Sequence, residues 1–430
     1  MINEPNEIAL AAERGRDVVD GSASAWHVLI LEITATGHHP SYIRWLLESD
    51  FAKSSEIILA ARQEMFEHPE ILACQSKFTR YQISVSQELE VRLSDFSSVG
   101  LMRMSWTIGR LYREVCASLA RTHRVDYVIV PFLDDCFLGL ALPREAFAGI
   151  PWMAITMRTM FHYSEMGVIA PRRRFSAFRR WRFYRILKQK SMESLLTIDP
   201  TLAAFAEMQS DSFMRKIEYL PDPSTSHPEL PTKIEARSQL KVPPDVSLIV
   251  LFGEISARKG VDSLLEAAAD ATCSPRVHVM LAGRCKNRAH LLENTAFQRL
   301  NADGRLHIID GYVRGTEERQ VLSAADCMWI GHTEFYGTSG VMVLAARHGV
   351  PVLATEEGLI GYLAKKYEIG VIIQPRNRSS VVKGLNRLVD ERDFFKQAGK
   401  NGISVFEKHD PTEFQRIVTE KVTMKMRTSR

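Results

Sequence analysis

The sequence predicts an α/β protein of two doubly wound parallel-sheet domains in tandem. Three observations carry this. The chain has 430 residues, more than one ordinary hydrophobic core holds. Short apolar runs, partly β-branched, alternate with helical segments, which is the pattern of a parallel sheet covered on both faces. The alternation stops at residues 221–231, PDPSTSHPELP, whose four prolines suit neither a helix nor a central strand, and then restarts.

The elements follow in order. Residues 1–25 are polar and of mixed charge, an N-terminal extension without the basic start and apolar run of a signal peptide. The first domain is expected over 26–215. Its strands are Val28–Ile33 (VLILEI), Ile57–Ala60, Ile83–Val85, Tyr127–Pro131, Trp152–Thr156 and Leu195–Asp199, with a helix over Trp106–Thr122 between two of them. Residues 216–237 read as the linker. The second domain is expected over 238–400, with strands at Leu248–Gly253, Val277–Gly283, Leu306–Asp310, Asp326–Ile330, Pro351–Ala354 and Gly370–Ile373. Its helices include Val261–Asp270, Val341–His348 and Ser379–Glu391. Residues 401–430 read as a C-terminal helix packing back on the first domain. Tandem domains of this kind are expected to face each other across a cleft, with ligands outside the carboxyl ends of the strands.

Composition narrows the function classes. Apolar residues make up 45% and charged residues 25%, as in ordinary globular proteins. A net charge of +4 is too small to imply nucleic-acid binding by the whole chain. The six cysteines include no C-x-x-C pair and no neighbouring His cluster, so no zinc site or disulfide framework is expected and a reducing cytoplasm suits them. No stretch approaches the roughly 20 apolar residues of a membrane span.

Three loops of the second domain follow strands. In Gly253-Glu254-Ile255-Ser256-Ala257-Arg258-Lys259-Gly260, Gly253 lets the backbone approach a ligand. Arg258 offers a planar fork and Lys259 a point charge, a pair suited to a diphosphate, although alone the triplet is equally a solvated basic turn. Gly337-Thr338-Ser339-Gly340 opens the helix that starts at Val341, where free N–H groups and the dipole favour an anion; Ser339 is equally well placed as an N-cap. Gly311-Tyr312-Val313 follows Asp310 and could frame a flat base.

Together IVLFGEISARKGVDSLLEAA, IIDGYV and FYGTSGVMVLAARHGVPVLAT resemble the C-terminal domain of family 4 of the retaining glycosyltransferases, also described as glycosyl transferases group 1. The resemblance is specific over residues 219–375. It implies the GT-B fold, a nucleotide-diphosphate sugar donor, transfer with retention, and no bound metal or other cofactor. It implies that the loop at Arg258 and Lys259 holds the donor phosphates. The family's pattern has two glutamates eight positions apart, which fall here on Tyr336 and Leu344; Glu334 is the substitute candidate for the first.

In the first domain, Gly37, His38 and His39 follow the first strand, where the resembling family faces donor and acceptor. Asp134 and Asp135 follow the strand at Tyr127, where a carboxylate could take a proton from an acceptor hydroxyl or cap a helix. His38 and Asp134 join Arg258 and Lys259 as catalytic candidates; His39, Asp135, Arg158 and His162 are acceptor candidates. Asp199 reads as a cap. Residues 171–190, PRRRFSAFRRWRFYRILKQK, hold nine basic and no acidic residues. This segment reads first as a surface helix packing its aromatics, with peripheral contact to an anionic membrane, and last as a nucleic-acid contact. The expected activity is hexosyl transfer to a saccharide or lipid-linked acceptor, in the cytoplasm or at the inner face of the membrane. The rivals are a GT-B protein that binds sugar nucleotide without transfer, and another GT-B chemistry such as epimerisation.

Overall fold

The computed structural model describes residues 10–11, 25–85, 98–171, 176–224 and 229–428. Most of the N-terminal extension, Arg172–Phe175 of the basic segment and linker residues 225–228 lie outside the described residues. Two compact units divide the chain. The first comprises Met1–His162, Arg172–Pro221 and Pro411–Arg430; the second comprises Tyr163–Pro171 and Asp222–Asp410.

The first unit holds one sheet of eight strands: β1 Leu10–Ala11, β2 Trp26–Glu32, β3 Ser55–Ala61, β4 Thr79–Ile83, β5 Tyr127–Val130, β6 Trp152–Thr156, β7 Met192–Thr197 and β8 Ile217–Tyr219. They lie in the order β1-β4-β3-β2-β5-β6-β7-β8. Only the short β1 runs antiparallel. Strands β2 and β5 are almost wholly apolar and buried, because a parallel strand is covered on both faces. The C-terminal helix Pro411–Thr428 completes this unit. Its Phe414, Val418 and Val422, four residues apart and fully buried, pack with Tyr42 and Trp45 of the helix His39–Glu48.

The second unit holds six parallel strands: β9 Ser247–Phe252, β10 Val277–Gly283, β11 Leu306–Asp310, β12 Cys327–Ile330, β13 Val352–Thr355 and β14 Gly370–Ile373. Their order is β11-β10-β9-β12-β13-β14. In both sheets the strand order reverses beside the first long strand, between β2 and β5 and between β9 and β12. At such a reversal the following loops diverge to opposite faces and open a crevice at the carboxyl edge.

Two differences from the sequence reading have physical reasons. Strand β8 lies within the residues read as linker. Three residues carry no periodicity, and β8 owes its form to pairing with β7 through Leu195 and Ile217. The helix Lys233–Gln239 also begins there, started by a capping box between Thr232 and Glu235. No helix among the described residues is long and apolar enough to cross a membrane.

Candidate functional site

In the second unit the two basic or small-residue loops sit side by side because they follow β9 and β12, which are neighbours in the sheet. The Thr333 N–H donates to the Arg258 carbonyl at 2.9 Å, and Trp329 Nε1 donates to the Lys259 carbonyl at 2.8 Å. Gly260 makes the junction possible. Its φ is +71°, and a Cβ there would lie 2.3 Å from the Gly331 carbonyl oxygen.

The two cations behave differently. Arg258 is exposed, with its guanidinium 5.1 Å above the Phe335 ring. Lys259 is only 9% exposed, and its Nζ donates to the Phe252 carbonyl at 2.6 Å. Burial, with Arg258 beside it, lowers the ammonium pKa to about 8. A desolvated cation close to Gly253 gains more from an arriving anion than a solvated one does. Ser339 does cap the helix Gly340–Arg347, accepting from the Met342 N–H at 3.4 Å. The N–H groups of Gly340 and Val341, at the first two positions, have no intrahelical partner. One loop therefore offers two cations and the other offers helix N–H donors.

Other residues of this unit fall differently. Tyr312 is 74% exposed with Arg314 stacked over its ring at 3.7 Å, while Val313 is buried. Glu334 adopts φ +57° and pairs with Arg376 at 2.9 Å. The Tyr336 carbonyl accepts from the Tyr163 hydroxyl and the Leu359 N–H, and Leu344 is buried. Gly337 and Thr338 are half-buried before the helix.

Sequence reasoning missed three contributors. Arg284 and Lys286 follow β10, and their backbone pairs with Ile255 in the Arg258 loop. His332 follows β12; burial, with Lys259 and Arg258 nearby, lowers its pKa to about 3, so the ring stays neutral. The signal was the same in each case: a polar residue just past an apolar strand.

In the first unit, residues after β2, β5 and β6 converge, since these strands are neighbours. Gly37 and His38 are exposed, the latter preceding the helix His39–Glu48. His39 Nδ1 lies 3.1 Å from Glu32, and its ring stacks on Phe132 with centroids 3.6 Å apart. Glu32 is buried, which raises its pKa against the opposing effect of His39. A carboxylate within the apolar run VLILEI was a legible sign of this pair. Both Asp134 oxygens are engaged: they accept from Thr156 Oγ1 at 3.1 Å and from the N–H groups of Met157 and Arg158 at 2.7 and 3.0 Å. Asp134 therefore shapes the turn that aims Arg158, whose guanidinium pairs with Asp135. His162 stands apart. It is fully buried beside Thr201 and Asp199, and Asp199 caps the helix Pro200–Glu207. Its ring has no access to a ligand in this conformation.

The basic segment forms the helix Ser176–Leu187. Phe183, Ile186 and Leu187 are buried, while Phe178 and Trp181 stack on each other at the surface.

The sequence model of the family described as glycosyl transferases group 1 matches residues 232–405. The chain is also 24% identical over 198 residues to an uncharacterised glycosyltransferase of Methanocaldococcus jannaschii, covering 45% of this chain and 50% of that protein. The chain thus spans about half the length of the curated relative it matches. Among solved structures it is similar to sucrose-phosphate synthase from Thermosynechococcus elongatus, with a TM-score of 0.67 and 14% identity, over 94% of this chain and 100% of that one. It is also similar to Anabaena HepE solved with UDP and glucose, with a TM-score of 0.58 and 15% identity, over 93% and 100%. At these identities the likeness speaks for the fold, which is GT-B. The segment that matches the family model carries both anion-receptive loops.

Proposed function

We propose that the chain is a glycosyltransferase that takes a sugar from a nucleotide-diphosphate donor and passes it to a saccharide or lipid-linked acceptor. The observation that carries this is the pair of loops after β9 and β12, within the segment that matches the family model. Arg258, Lys259 and the N-terminus of the helix Gly340–Arg347 stabilise the charge that develops on the departing diphosphate. Anabaena HepE, of similar fold, is solved with UDP and glucose, which supports a donor of that class. Hexosyl transfer, retention of configuration and independence of metal are part of the proposal through the family resemblance. The acceptor binds the first unit near His38, His39 and Arg158. The exposed Phe178–Trp181 stack within a basic helix supports peripheral contact with an anionic membrane at the cytoplasmic face.

One observation favours a second reading, a protein that binds sugar nucleotide without transferring it. Tyr336 and the buried Leu344 stand where the resembling family has glutamates, and Glu334, the substitute candidate for the first, is ion-paired with Arg376. A thermal-shift panel of UDP, GDP, ADP and their sugars, followed by transfer assays with the stabilising donor, separates the two. The variant Arg258→Ala with Lys259→Met is expected to abolish both donor stabilisation and transfer while keeping its melting temperature without ligand. Full transfer by that variant sinks the proposal; donor binding with no transfer to any acceptor favours the second reading.

A further inference from the structure

The second unit carries a cavity at the other edge of its sheet. Its wall includes the residues that lead into the strands: Val246 before β9, Arg276 before β10, Asp326 before β12 and Pro351 before β13. Because these strands are parallel, this edge lies one strand length, roughly 20 Å, from the loops that follow β9 and β12. The volume of about 690 Å³ is that of a small-molecule site.

Its charge is unbalanced. Six basic side chains line it against two carboxylates. One of these, Asp326, is already committed, accepting from Arg237 at 2.5 Å, from the Leu248 N–H at 2.6 Å and from Lys233. Arg276 is turned to the Asp245 carbonyl. The remaining cations, Arg392, Lys396 and Lys400, make no hydrogen bond or ion pair among the described residues. They recur every fourth residue on the helix Arg392–Phe406, so they form one row with about 6 Å between neighbours. Like charges in such a row repel one another. Here they do so at a concave surface whose apolar floor includes Phe395 and Leu388. A ligand with several negative charges, joined to an apolar or sugar body, relieves that repulsion and fills the floor.

We propose that this cavity binds a ligand bearing two or more phosphate charges, at a site separate from the donor loops. Two sources present that chemistry, a dissolved organic phosphate and clustered anionic lipid headgroups. The probes are inorganic pyrophosphate, titrated calorimetrically, and sedimenting vesicles of phosphatidylglycerol with phosphatidylcholine. Both are applied to the full chain carrying Arg258→Ala, which weakens the donor loops. At least one probe is expected to bind, and adding Arg392→Ala, Lys396→Ala and Lys400→Ala to weaken it at least about tenfold. All three side chains are exposed, so the fold is expected to survive, as a thermal melt checks. A response to pyrophosphate assigns the dissolved source; a response to vesicles alone assigns the headgroup source. Binding of neither probe, or binding that survives the triple substitution, overturns the proposal. UDP affinity is followed separately with Arg258 intact; its persistence in the triple variant keeps failure of this cavity distinct from failure of the donor site.

Discussion

At Lys259 a buried ammonium rests on the Phe252 carbonyl with its pKa lowered to about 8. Below that pH the group is charged and ready for an anion; above it the free protein loses the charge, and binding must restore the proton first. UDP affinity is therefore expected to fall as pH rises through about 8. Lys259→Met is expected to weaken UDP at least about tenfold at pH 7 and to flatten that pH dependence, both measured by calorimetry. A methionine keeps much of the volume, so the loss would report charge rather than packing. The basic pair Arg258-Lys259 was legible as residue types in a loop after a strand. That one is exposed over Phe335 and the other buried under Gly253 was not, because burial is decided by Trp329 and Gly331, some seventy residues away.

The helix Gly340–Arg347 tests the anion reading at the scale of an element. Ser339 caps its Met342 N–H, and the first two N–H groups remain for a ligand. Ser339→Asp keeps a capping oxygen and adds a negative charge beside the helix N-terminus, which favours the helix itself. The same charge repels a diphosphate. The variant is expected to hold or raise the unliganded melting temperature while lowering UDP affinity at least about tenfold. A simple cap with no ligand role would show the first effect without the second. The choice between cap and anion site could not be made from Gly337-Thr338-Ser339-Gly340 alone. The geometry shows that the serine hydroxyl uses one N–H and leaves the others free.

Each unit as a whole has its own vulnerability. In the second, burial lowers the pKa of His332 to about 3 and those of His278 and His409 to about 4. Their unfolded value is near 6.5. Folded values below the unfolded one mean that the unfolded chain takes up protons first, so stability is complete above about pH 6.5 and falls as pH drops towards 4. Urea midpoints measured across that range are expected to decline for the second unit, and less steeply in His278→Gln. In the first unit, Phe414 of the C-terminal helix is fully buried beside Tyr42 and Trp45. Phe414→Ala is expected to cost that unit about 3–5 kcal/mol. With the donor loops proposed on the second unit, UDP binding by that variant is expected to persist at temperatures where the first unit is still folded.

What the sequence determined by itself is the α/β class, nearly every long strand, and the residue types of the loops after β9 and β12. These are local properties: a buried parallel strand must be an apolar run, and a loop after it can carry charge. The tertiary structure decided the rest. It recruited β1 and β8 by edge pairing. It drew Tyr163–Pro171 into the second unit, where Tyr163 and Ile169 hydrogen-bond with residues of the 336–358 region. It committed both oxygens of Asp134 to a turn, closed His162 into the core, and set Arg392, Lys396 and Lys400 on a cavity wall where none of them forms an ion pair among the described residues. Each of these outcomes depends on residues distant in the chain, and only packing brings such residues together.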